Sequence, residues 1–401
     1  MSNIGDLPDW VGQYRNEIVS DLANYVSRET PSDDKILLAA GLEWLEDWLQ
    51  RRLGAPARLE RVDGGAYGDT LILDYTSKNG NSTWTTALCH YDTVWSSGTL
   101  ANWSPAINGD HFTGPGAFDM KGGLVQLVWA LKAGEALGLP RPNLRLVLNG
   151  DEEIGSPISR PVIEAQVIRG STVLVFEASA DGAIKTERKG VGIFQVEATG
   201  VEVHAGLNPE AGASAIDEIA RAVCQLHGSA DTEEGTTLNA GTIRGGTRTN
   251  VKAGYATAGV DVRVSSEAEA RRIDAVFEGL QTHNSEATLT VSGGWNRPVM
   301  ARSQLTSQLF AVAASAAEEM GFSLEEVSVG GGSDGNFAAA LGLPVLDGLG
   351  AVGDGAHARN EWISIDGMLQ RTALAAGLLT KLTEADNFLD ISSEGAASVS
   401  N

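Results

Sequence analysis

The amino-acid sequence predicts an α/β fold in which a second, smaller α/β domain is inserted into a larger one. Short apolar runs with the composition of buried strands alternate with longer segments whose apolar residues recur at helical spacing. Residues 190–291 instead contain a strand, a helix, two strands, a helix and a strand, the order of the ferredoxin-like fold. We therefore expect a discontinuous larger domain, residues 1–188 and 299–401, and an inserted domain, residues 189–298.

The elements of the larger domain are predicted from periodicity. In residues 34–53, Leu38, Leu42 and Leu45 fall on one helical face, whereas residues 144–148 form a short apolar run typical of a buried strand. The predicted helices span residues 10–26, 34–53, 124–137, 303–320 and 365–382. The predicted strands span residues 69–75, 83–89, 144–148, 172–176 and 344–346. We expect a turn over residues 77–82 and a disordered tail from Ser392.

The inserted domain is predicted in the same way. Its strands are expected over residues 190–199, 237–244, 253–263 and 287–291, and its helices over residues 214–228 and 266–280. Two polar loops, residues 200–206 and 245–250, separate these elements. A complete β-α-β-β-α-β unit can bury its own core, which is why we expect this segment to fold as a domain.

Charge, hydropathy and cysteine content disfavour several classes of partner and indicate a cellular compartment. The formal net charge is −23, which disfavours nucleic acid and anionic membranes as binding partners. No uncharged apolar run reaches membrane-spanning length, and the first residues lack the pattern of a signal peptide. The two cysteines, Cys89 and Cys224, lie far apart and form no disulfide framework. These features predict a cytoplasmic protein.

Potential metal ligands directly follow three of the predicted strands. They are His90 after residues 83–89, the acidic run Asp151, Glu152 and Glu153 after residues 144–148, and Glu177 after residues 172–176. In an open α/β sheet, ligands bind beyond the carboxyl ends of the strands. Three consecutive acids repel one another unless a metal, a basic partner or open solvent surrounds them. The recurrence at three strand ends favours a metal.

Each of these residues also has an ordinary explanation when taken alone. An acidic triplet is typical of a solvated helix start, and a histidine at a strand end commonly bonds to the backbone. His90 and Asp92 would lie on the same face of an extended chain. A carboxylate in that position can hold the second ring nitrogen of a metal-binding histidine, which favours the metal interpretation.

A glycine-rich turn over residues 114–123 precedes a predicted helix and contains Asp119. The phosphate-binding pattern G-x-x-x-x-G-K-[ST] is absent, and an acid stands where a phosphate loop would avoid one. The glycines instead allow the backbone to approach a neighbour closely. Asp119 is therefore either a carboxylate positioned by a rigid turn or part of an ordinary Asp-containing turn.

The order of these motifs resembles that of the M20 family of di-zinc peptidases. The motifs that carry the resemblance are His90-x-Asp92, Asp119-Met120-Lys121-Gly122-Gly123, Asp151-Glu152-Glu153-x-Gly155-Ser156, Glu177, His204-Ala205-Gly206 and Ala356-His357. They span nearly the whole chain, with the insertion in the expected place. The sequence most resembles the glutamate carboxypeptidase (carboxypeptidase G2-like) branch. The resemblance implies a mixed-sheet zinc-hydrolase domain with an inserted lid and dimerisation domain.

The resemblance also implies a role for each motif residue. One zinc ion would be bound by His90 and Glu177, the other by Glu153 and His357, and Asp119 would bridge them. Two imidazoles and three carboxylates suit zinc, although manganese or cobalt would also fit. Asp92 would orient the ring of His90. Glu152 would be the general base for a water shared by the metals, while Glu153 faces the metal.

The remaining roles implied by the family concern substrate and dimer. His204, in the inserted domain, would reach the active site of the partner in a homodimer and stabilise the developing oxyanion. Asn250 and Arg297 would bind the terminal carboxylate of the substrate, a task that suits the bidentate guanidinium of Arg297. Ser333 lies in the loop that borders the substrate pocket in similar enzymes. For its neighbour Asp334, capping of the following helix is an equal alternative.

Two departures from the family pattern make the substrate less predictable than the metals. Ser214 stands where many relatives carry Asn, and Ala358 follows His357 where Ser is common. In relatives the peptide bond after the bridging aspartate is cis, which here would be Asp119–Met120. We expect hydrolysis of the amide between an acyl or peptidyl group and a C-terminal, glutamate-like amino acid. An aminoacylase for other N-acyl amino acids and a non-catalytic binding protein are the alternatives.

Overall fold

The computed structural model describes residues 3–78 and 82–385, and its contacts divide these residues into two units. The first unit falls within Met1–Glu187, Arg302–Ser328 and Ser333–Asn401, and the second comprises Arg188–Ala301 and Val329–Gly332. Residues 329–332 thus belong to the second unit, although they were predicted as part of the larger domain. Part of the predicted turn over residues 77–82 and the whole tail from Ser392 lie outside the described residues. Within the described residues, no helix combines the length and apolarity needed to cross a membrane.

The elements are numbered along the chain. The helices are α1 (Leu7–Gln13), α2 (Arg15–Val26), α3 (Lys35–Leu53), α4 (Gly122–Leu137), α5 (Arg160–Val167), α6 (Ala215–His227), α7 (Glu267–Glu278), α8 (Gln304–Glu319), α9 (Gly335–Ala340) and α10 (Ile365–Ala385). The strands are β1 (Arg58–Val62), β2 (Gly68–Tyr75), β3 (Trp84–His90), β4 (Ala106–Asn108), β5 (His111–Thr113), β6 (Asn143–Gly150), β7 (Thr172–Val175), β8 (Ile184–Arg188), β9 (Gly190–Thr199), β10 (Thr237–Gly245), β11 (Tyr255–Val264), β12 (Thr288–Arg297), β13 (Glu326–Val329), β14 (Val345–Leu346), β15 (Gly353–Asp354) and β16 (Trp362–Ser364).

The first unit is built on a six-stranded mixed sheet in the order β1-β2-β6-β3-β7-β14. The strands β6, β3, β7 and β14 run parallel to one another. At one edge of the sheet, β2 pairs antiparallel with β6, and β1 pairs antiparallel with β2. All residues of β6 and β7 are buried. Burial on both faces explains why these strands appear in the sequence as continuous apolar runs. The mixed α/β architecture confirms the predicted fold class.

The helix α4 forms the centre of the first unit. It packs against α1, α2, α3 and α10, and Leu124, Leu127 and Val128 are fully buried. Its start lies close to the end of β7, because a Cβ atom added at Gly123 would stand 1.9 Å from the carbonyl oxygen of Phe176. Only glycine permits this approach, which places the turn containing Asp119 beside the strand end that carries Glu177.

Several elements differ from the sequence prediction. The helix predicted over residues 10–26 is broken at Tyr14, whose backbone leaves helical geometry and whose ring packs 4.4 Å from that of Trp10. The prediction omitted α5 and the short strands β1, β4, β5, β8, β13, β15 and β16. The omitted strands have two to five residues, too few to show a period of two, and unlike β7 they contain no continuous apolar run that would indicate a buried strand.

The second unit contains a four-stranded antiparallel sheet in the order β10-β11-β9-β12 together with α6 and α7. This order and the connection β-α-β-β-α-β match the predicted ferredoxin-like pattern. Along β9, residues alternate between buried and more exposed, so that Phe194, Val196 and Ala198 point into a core with Ile219 and Ile273 from the helices. The unit therefore has its own hydrophobic core.

A buried ion pair within the six-stranded sheet provides a test of its stability. Asp74 on β2 accepts hydrogen bonds from Nε and Nη2 of Arg145 on β6, at 2.8 and 3.0 Å. We expect Asp74→Asn to reduce the free energy of unfolding by about 3–5 kcal/mol, because it leaves the Arg145 charge buried without its partner. Urea unfolding measures this change. Lys78→Gln, which removes the exposed ion pair with Glu135, should cost less than about 1 kcal/mol.

Candidate metal centre

The candidate ligands converge because the ends of three parallel strands lie at one edge of the sheet. In the register of β3 with β6, His90 lies opposite Asn149, and in that of β3 with β7, Leu88 lies opposite Val175. The acidic turn after β6 and Glu177 after β7 therefore begin beside His90. This is the position at which α/β sheets bind ligands.

The first group of candidate ligands surrounds the buried ring of His90. Its Nε2 atom lies 3.3 Å from a carboxylate oxygen of Asp119 and 3.3 Å from one of Glu177. Its Nδ1 atom lies 3.0 Å from the backbone oxygen of Asp92. Because the Nδ1–H donates to that carbonyl, Nε2 is the ring atom that faces the two carboxylates, and in the neutral ring its lone pair could bind a metal.

The second group shares Asp119 with the first. Nε2 of His357 lies 3.3 Å from the other Asp119 oxygen and 3.1 Å from an oxygen of Glu153. In each group of three, one ligand atom per residue can be chosen so that all lie within 4.8 Å of one another. The two oxygens of Asp119 thus face different groups, which is the arrangement that a bridging carboxylate requires.

The backbone around these ligands is unusual at two points. The peptide bond Asp119–Met120 is cis, as the family resemblance implied. His357 has a φ of 61°, a left-handed conformation that is uncommon for a residue other than glycine. A left-handed residue of this kind persists where the surrounding structure imposes it, and such residues concentrate at functional sites.

The ionisable side chains of the cluster strongly shift one another's pKa values. Burial and the nearby Asp119 raise the pKa of Glu153 to about 8. Hydrogen bonds with Asp119 and Glu153 raise the pKa of His357 to about 10. Burial favours protonated Asp119, but the contacts with His357 and His90 outweigh it and hold the pKa of Asp119 well below its usual range. The imidazoles therefore carry the positive charge that these carboxylates need.

The residues fit a pair of divalent metal ions. Their donors are two imidazole nitrogens and three carboxylates, a set suited to zinc and also to manganese or cobalt. Oε1 of Glu153 is buried and has no hydrogen-bond partner, which is costly unless a cation or another donor compensates it. Metal ions would replace the protons on the imidazoles and carboxylates, so binding should release protons.

The structure gives Asp92 three contacts beyond the one expected with His90. Its Oδ1 lies 3.4 Å from Nδ1 of His90, whereas its backbone oxygen lies nearer to that atom, at 3.0 Å. The same carboxylate accepts hydrogen bonds from the backbone N–H groups of Glu152 and Glu153, at 3.2 and 3.1 Å. Ser32 donates to it at 2.8 Å. Asp92 therefore connects the first group of ligands to the acidic turn.

Glu361 is a functional candidate that sequence reasoning missed. Its fully buried carboxylate accepts hydrogen bonds from the backbone N–H groups of Gly116, Phe118 and Asp119 and from Nε1 of Trp95, at 2.8–3.1 Å. It thereby fixes the turn that presents Asp119. The only signal in the sequence was its position four residues after His357, and that position does not reveal a partner more than two hundred residues away.

The predicted oxyanion and substrate residues of the second unit lie in two places. His204 and Asn250 are exposed and adjacent, since the N–H of Ala205 donates to the backbone oxygen of Asn250 at 2.9 Å. Arg297, at the end of β12, is buried. The structure therefore brings His204 and Asn250 together, while the roles of all three residues remain predictions.

Ser333 and Asp334 lie in the first unit and are both buried. The hydroxyl of Ser333 donates to Asp347 and accepts from the N–H of Gly335, so its interior position favours a structural contact over the expected substrate contact. Asp334 stands at the N-cap position of α9, yet its side chain makes no capping hydrogen bond. Its carboxylate instead accepts from Asn149 and Ser156.

Comparison with known proteins identifies a matching family and several similar proteins. Residues 88–381 match the model of peptidase family M20/M25/M40. Carboxypeptidase G2 of a Pseudomonas species is 29% identical over 375 residues, which cover 91% of this chain and 89% of that protein. The crystal structure of aminopeptidase PepT from Bacillus cereus is similar with a TM-score of 0.76 at 20% identity, covering 92% of this chain and 99% of that one. YxeP from Bacillus subtilis, described as a dinuclear metal binding peptidase, has a TM-score of 0.64 at 13% identity, covering 93% and 99%.

The site and the match define an enzyme of the metallopeptidase class, a hydrolase. The chain belongs to the M20 peptidase family, since the match spans well over half of its length. Its similarity to carboxypeptidase G2 over nearly the whole chain confirms the predicted resemblance to that branch.

The shared position of Asp119 leads to a prediction about metal content. Asp119→Ala should lose both bound metal ions, because it removes an oxygen from each group of ligands. His90→Ala and His357→Ala should each retain one strongly bound ion. Elemental analysis after dialysis with zinc measures the ratio. His111→Ala, which alters a histidine stacked on Trp362 outside both groups, is the control and should bind two ions.

The contacts of Glu361 lead to a second prediction. Glu361→Gln should weaken metal affinity by about 10- to 100-fold, because an amide NH2 group would face N–H donors and disturb the turn of Asp119. Titration against a competing zinc chelator measures the affinity. The matched control is Glu29→Gln, whose carboxylate accepts from Gly98 and Leu100 but not from the Asp119 turn. An equal loss of affinity in both variants would contradict the proposed role of Glu361.

Proposed function

We propose that this enzyme hydrolyses the amide bond between an acyl or peptidyl group and a C-terminal amino acid, with glutamate as the preferred type. The observation that carries the proposal is the position of Asp119 between two groups of ligands, with Glu152 directly beside the ligand Glu153. The preference for glutamate rests on the similarity to carboxypeptidase G2. Aminoacylase activity on other N-acyl amino acids is the alternative that the substrate test separates.

Five residues would hold two metal ions, preferably zinc. They are His90, Asp119, Glu153, Glu177 and His357. When bound, such ions supply Lewis acidity and make a water molecule acidic enough to react near neutral pH. The residues of the chain must then position the amide and move one proton.

Glu152 is the proposed proton carrier. It follows β6 in a single 3-10 turn, Glu152–Ile154, and its side chain is partly exposed, in contrast to the nearly buried carboxylate of Glu153. Asp92 holds the backbone N–H groups of both residues, so their relative orientation is defined. Glu152 would accept the proton of the attacking water and later donate it to the leaving nitrogen.

His204 is proposed to stabilise the developing oxyanion across a homodimer. Its Nδ1 accepts the N–H of Gly206 at 3.1 Å, so the proton of the neutral ring lies on Nε2, which is exposed and able to donate. The second unit would then act as a lid and dimerisation domain. Arg297 and Asn250 would bind the terminal carboxylate of the substrate. The cytoplasmic location of the protein remains a prediction.

A panel of conjugates tests the proposed reaction. Acetyl, aryl and peptidyl conjugates of Glu, Asp, Leu and Ala are incubated with the enzyme, with and without chelator and added zinc. We expect release of glutamate from aryl or peptidyl conjugates, abolished by chelator and restored by zinc. Release mainly from other amino acids would favour the aminoacylase alternative, and no release by the enzyme with two bound metals would contradict hydrolysis of this class.

Substitution of Glu152 tests the mechanism. Glu152→Gln should keep both metal ions and its KM, while kcat falls by roughly 10²- to 10⁴-fold because the amide cannot accept the proton. Steady-state kinetics and elemental analysis give these values. A variant that keeps its kcat would exclude Glu152 as the general base. Glu164→Gln, which changes a partly exposed acid on α5 paired with Arg160, is the matched control.

A further inference from the structure

One buried carboxylate from a distant part of the sequence holds both flanks of the turn that carries Glu152. Oδ2 of Asp334 accepts a hydrogen bond from Nδ2 of Asn149 at 2.9 Å, and Oδ1 accepts one from the hydroxyl of Ser156 at 2.5 Å. Asn149 precedes the acidic residues at the end of β6, and Ser156 follows them. Asp334 is only 4% exposed, so solvent does not compete for these bonds.

The turn itself is tied together at its base. The backbone N–H of Ser156 donates to the carbonyl of Asp151 at 2.8 Å, and the Asp151 carboxylate accepts from the N–H groups of Ile158 and Ser159. Ser156 has a φ of 55°, a left-handed conformation that is unfavourable for serine. The hydrogen bond from its hydroxyl to Asp334 compensates for this conformation, so the shape of the turn depends partly on Asp334.

The same turn is held from its other side by Asp92. Asp92 accepts from the N–H groups of Glu152 and Glu153, whereas Asp334 accepts from side chains at either end of the turn. Glu153 also contacts His357, which limits its movement independently.

We propose that Asp334 is a positioning residue that sets the orientation of Glu152 for proton transfer. The proposal rests on the proposed function of Glu152 as the general base. Asp334 acts through Asn149 and Ser156 and belongs to neither group of candidate ligands. Loss of its two hydrogen bonds would let the ends of the turn separate and displace Glu152, and a displacement of about 1 Å can cost about 100-fold in rate. Glu153 lies on the same turn but also contacts His357, and the other four candidate ligands lie on other segments, so metal content and substrate affinity should change little.

The test compares Asp334→Asn, Ser156→Ala and the double variant with the wild-type holoenzyme. Asp334→Asn should lower kcat by about 10- to 100-fold, with KM within about twofold and two metals per chain. Ser156→Ala should show a smaller fall. Because Asp334→Asn weakens and Ser156→Ala removes the contact between the same two residues, the double variant should be no slower than the product of the two single effects and close to Asp334→Asn. Stopped assays on the best conjugate of the panel and elemental analysis supply the values.

The control is a second buried carboxylate at the other end of the same sheet. Asp74→Asn disrupts the ion pair with Arg145 near the start of β6 and should destabilise the protein without changing kcat. If kcat falls equally in Asp74→Asn and Asp334→Asn, general destabilisation of the protein would explain both decreases, and the proposal would be overturned. An unchanged kcat in Asp334→Asn, or a loss of bound metal that explains its fall, would also overturn it.

The outcomes separate this proposal from the proposed function. If the wild-type holoenzyme hydrolyses no conjugate, the proposed function is wrong and the positioning role falls with it. If the wild type is active and Asp334→Asn is equally active, only the positioning role is wrong. Should Asp334→Asn fail to fold, Ser156→Ala carries the same test, since it removes one of the two hydrogen bonds by deleting a single hydroxyl.

Discussion

Three carboxylates, those of Asp119, Glu153 and Glu177, meet at one edge of a buried sheet, and their mutual repulsion is the constraint on which the site depends. Charges of one sign at this separation are costly in a region that excludes water. Two imidazoles compensate them, which explains the raised pKa values of His90 and His357. Such a cluster has little reason to exist for stability alone. Its donors suit metal ions, and the family to which the chain belongs agrees.

A second layer of carboxylates holds this cluster through backbone and side-chain donors. Glu361 accepts from the turn of Asp119, Asp92 from the N–H groups of the acidic turn, and Asp334 from its two flanks. Each bond joins segments separated by between 60 and more than 200 residues in the chain. The geometry of the ligands therefore depends on the folding of the first unit. Substitutions in this layer should change metal binding or the reaction rate even though they leave the ligand residues in place.

The length of each helix or strand decided whether it could be predicted from the sequence. The helix α3 and the strands β3 and β6 were predicted within two residues at each end, because long periodic or continuous apolar runs are hard to misread. The break at Tyr14 escaped prediction because the apolar period continues across it, while the ring of Tyr14 packs on Trp10. The short strands β15 and β16 have no period of their own and pair only because the sheet with β5 brings them together.

By itself, the sequence determined the residue types of the site and their order, since imidazoles and carboxylates placed after apolar strands carry their chemistry wherever the chain folds. It also determined the two α/β patterns, because periodicity is a local property. Only the tertiary structure decided which oxygens face which imidazole, that Asp119 is shared, and that Glu361 and Asp334 bond to distant turns instead of to their own neighbours. Hydrogen bonds across hundreds of residues depend on how the strands pack, and no local pattern encodes that packing.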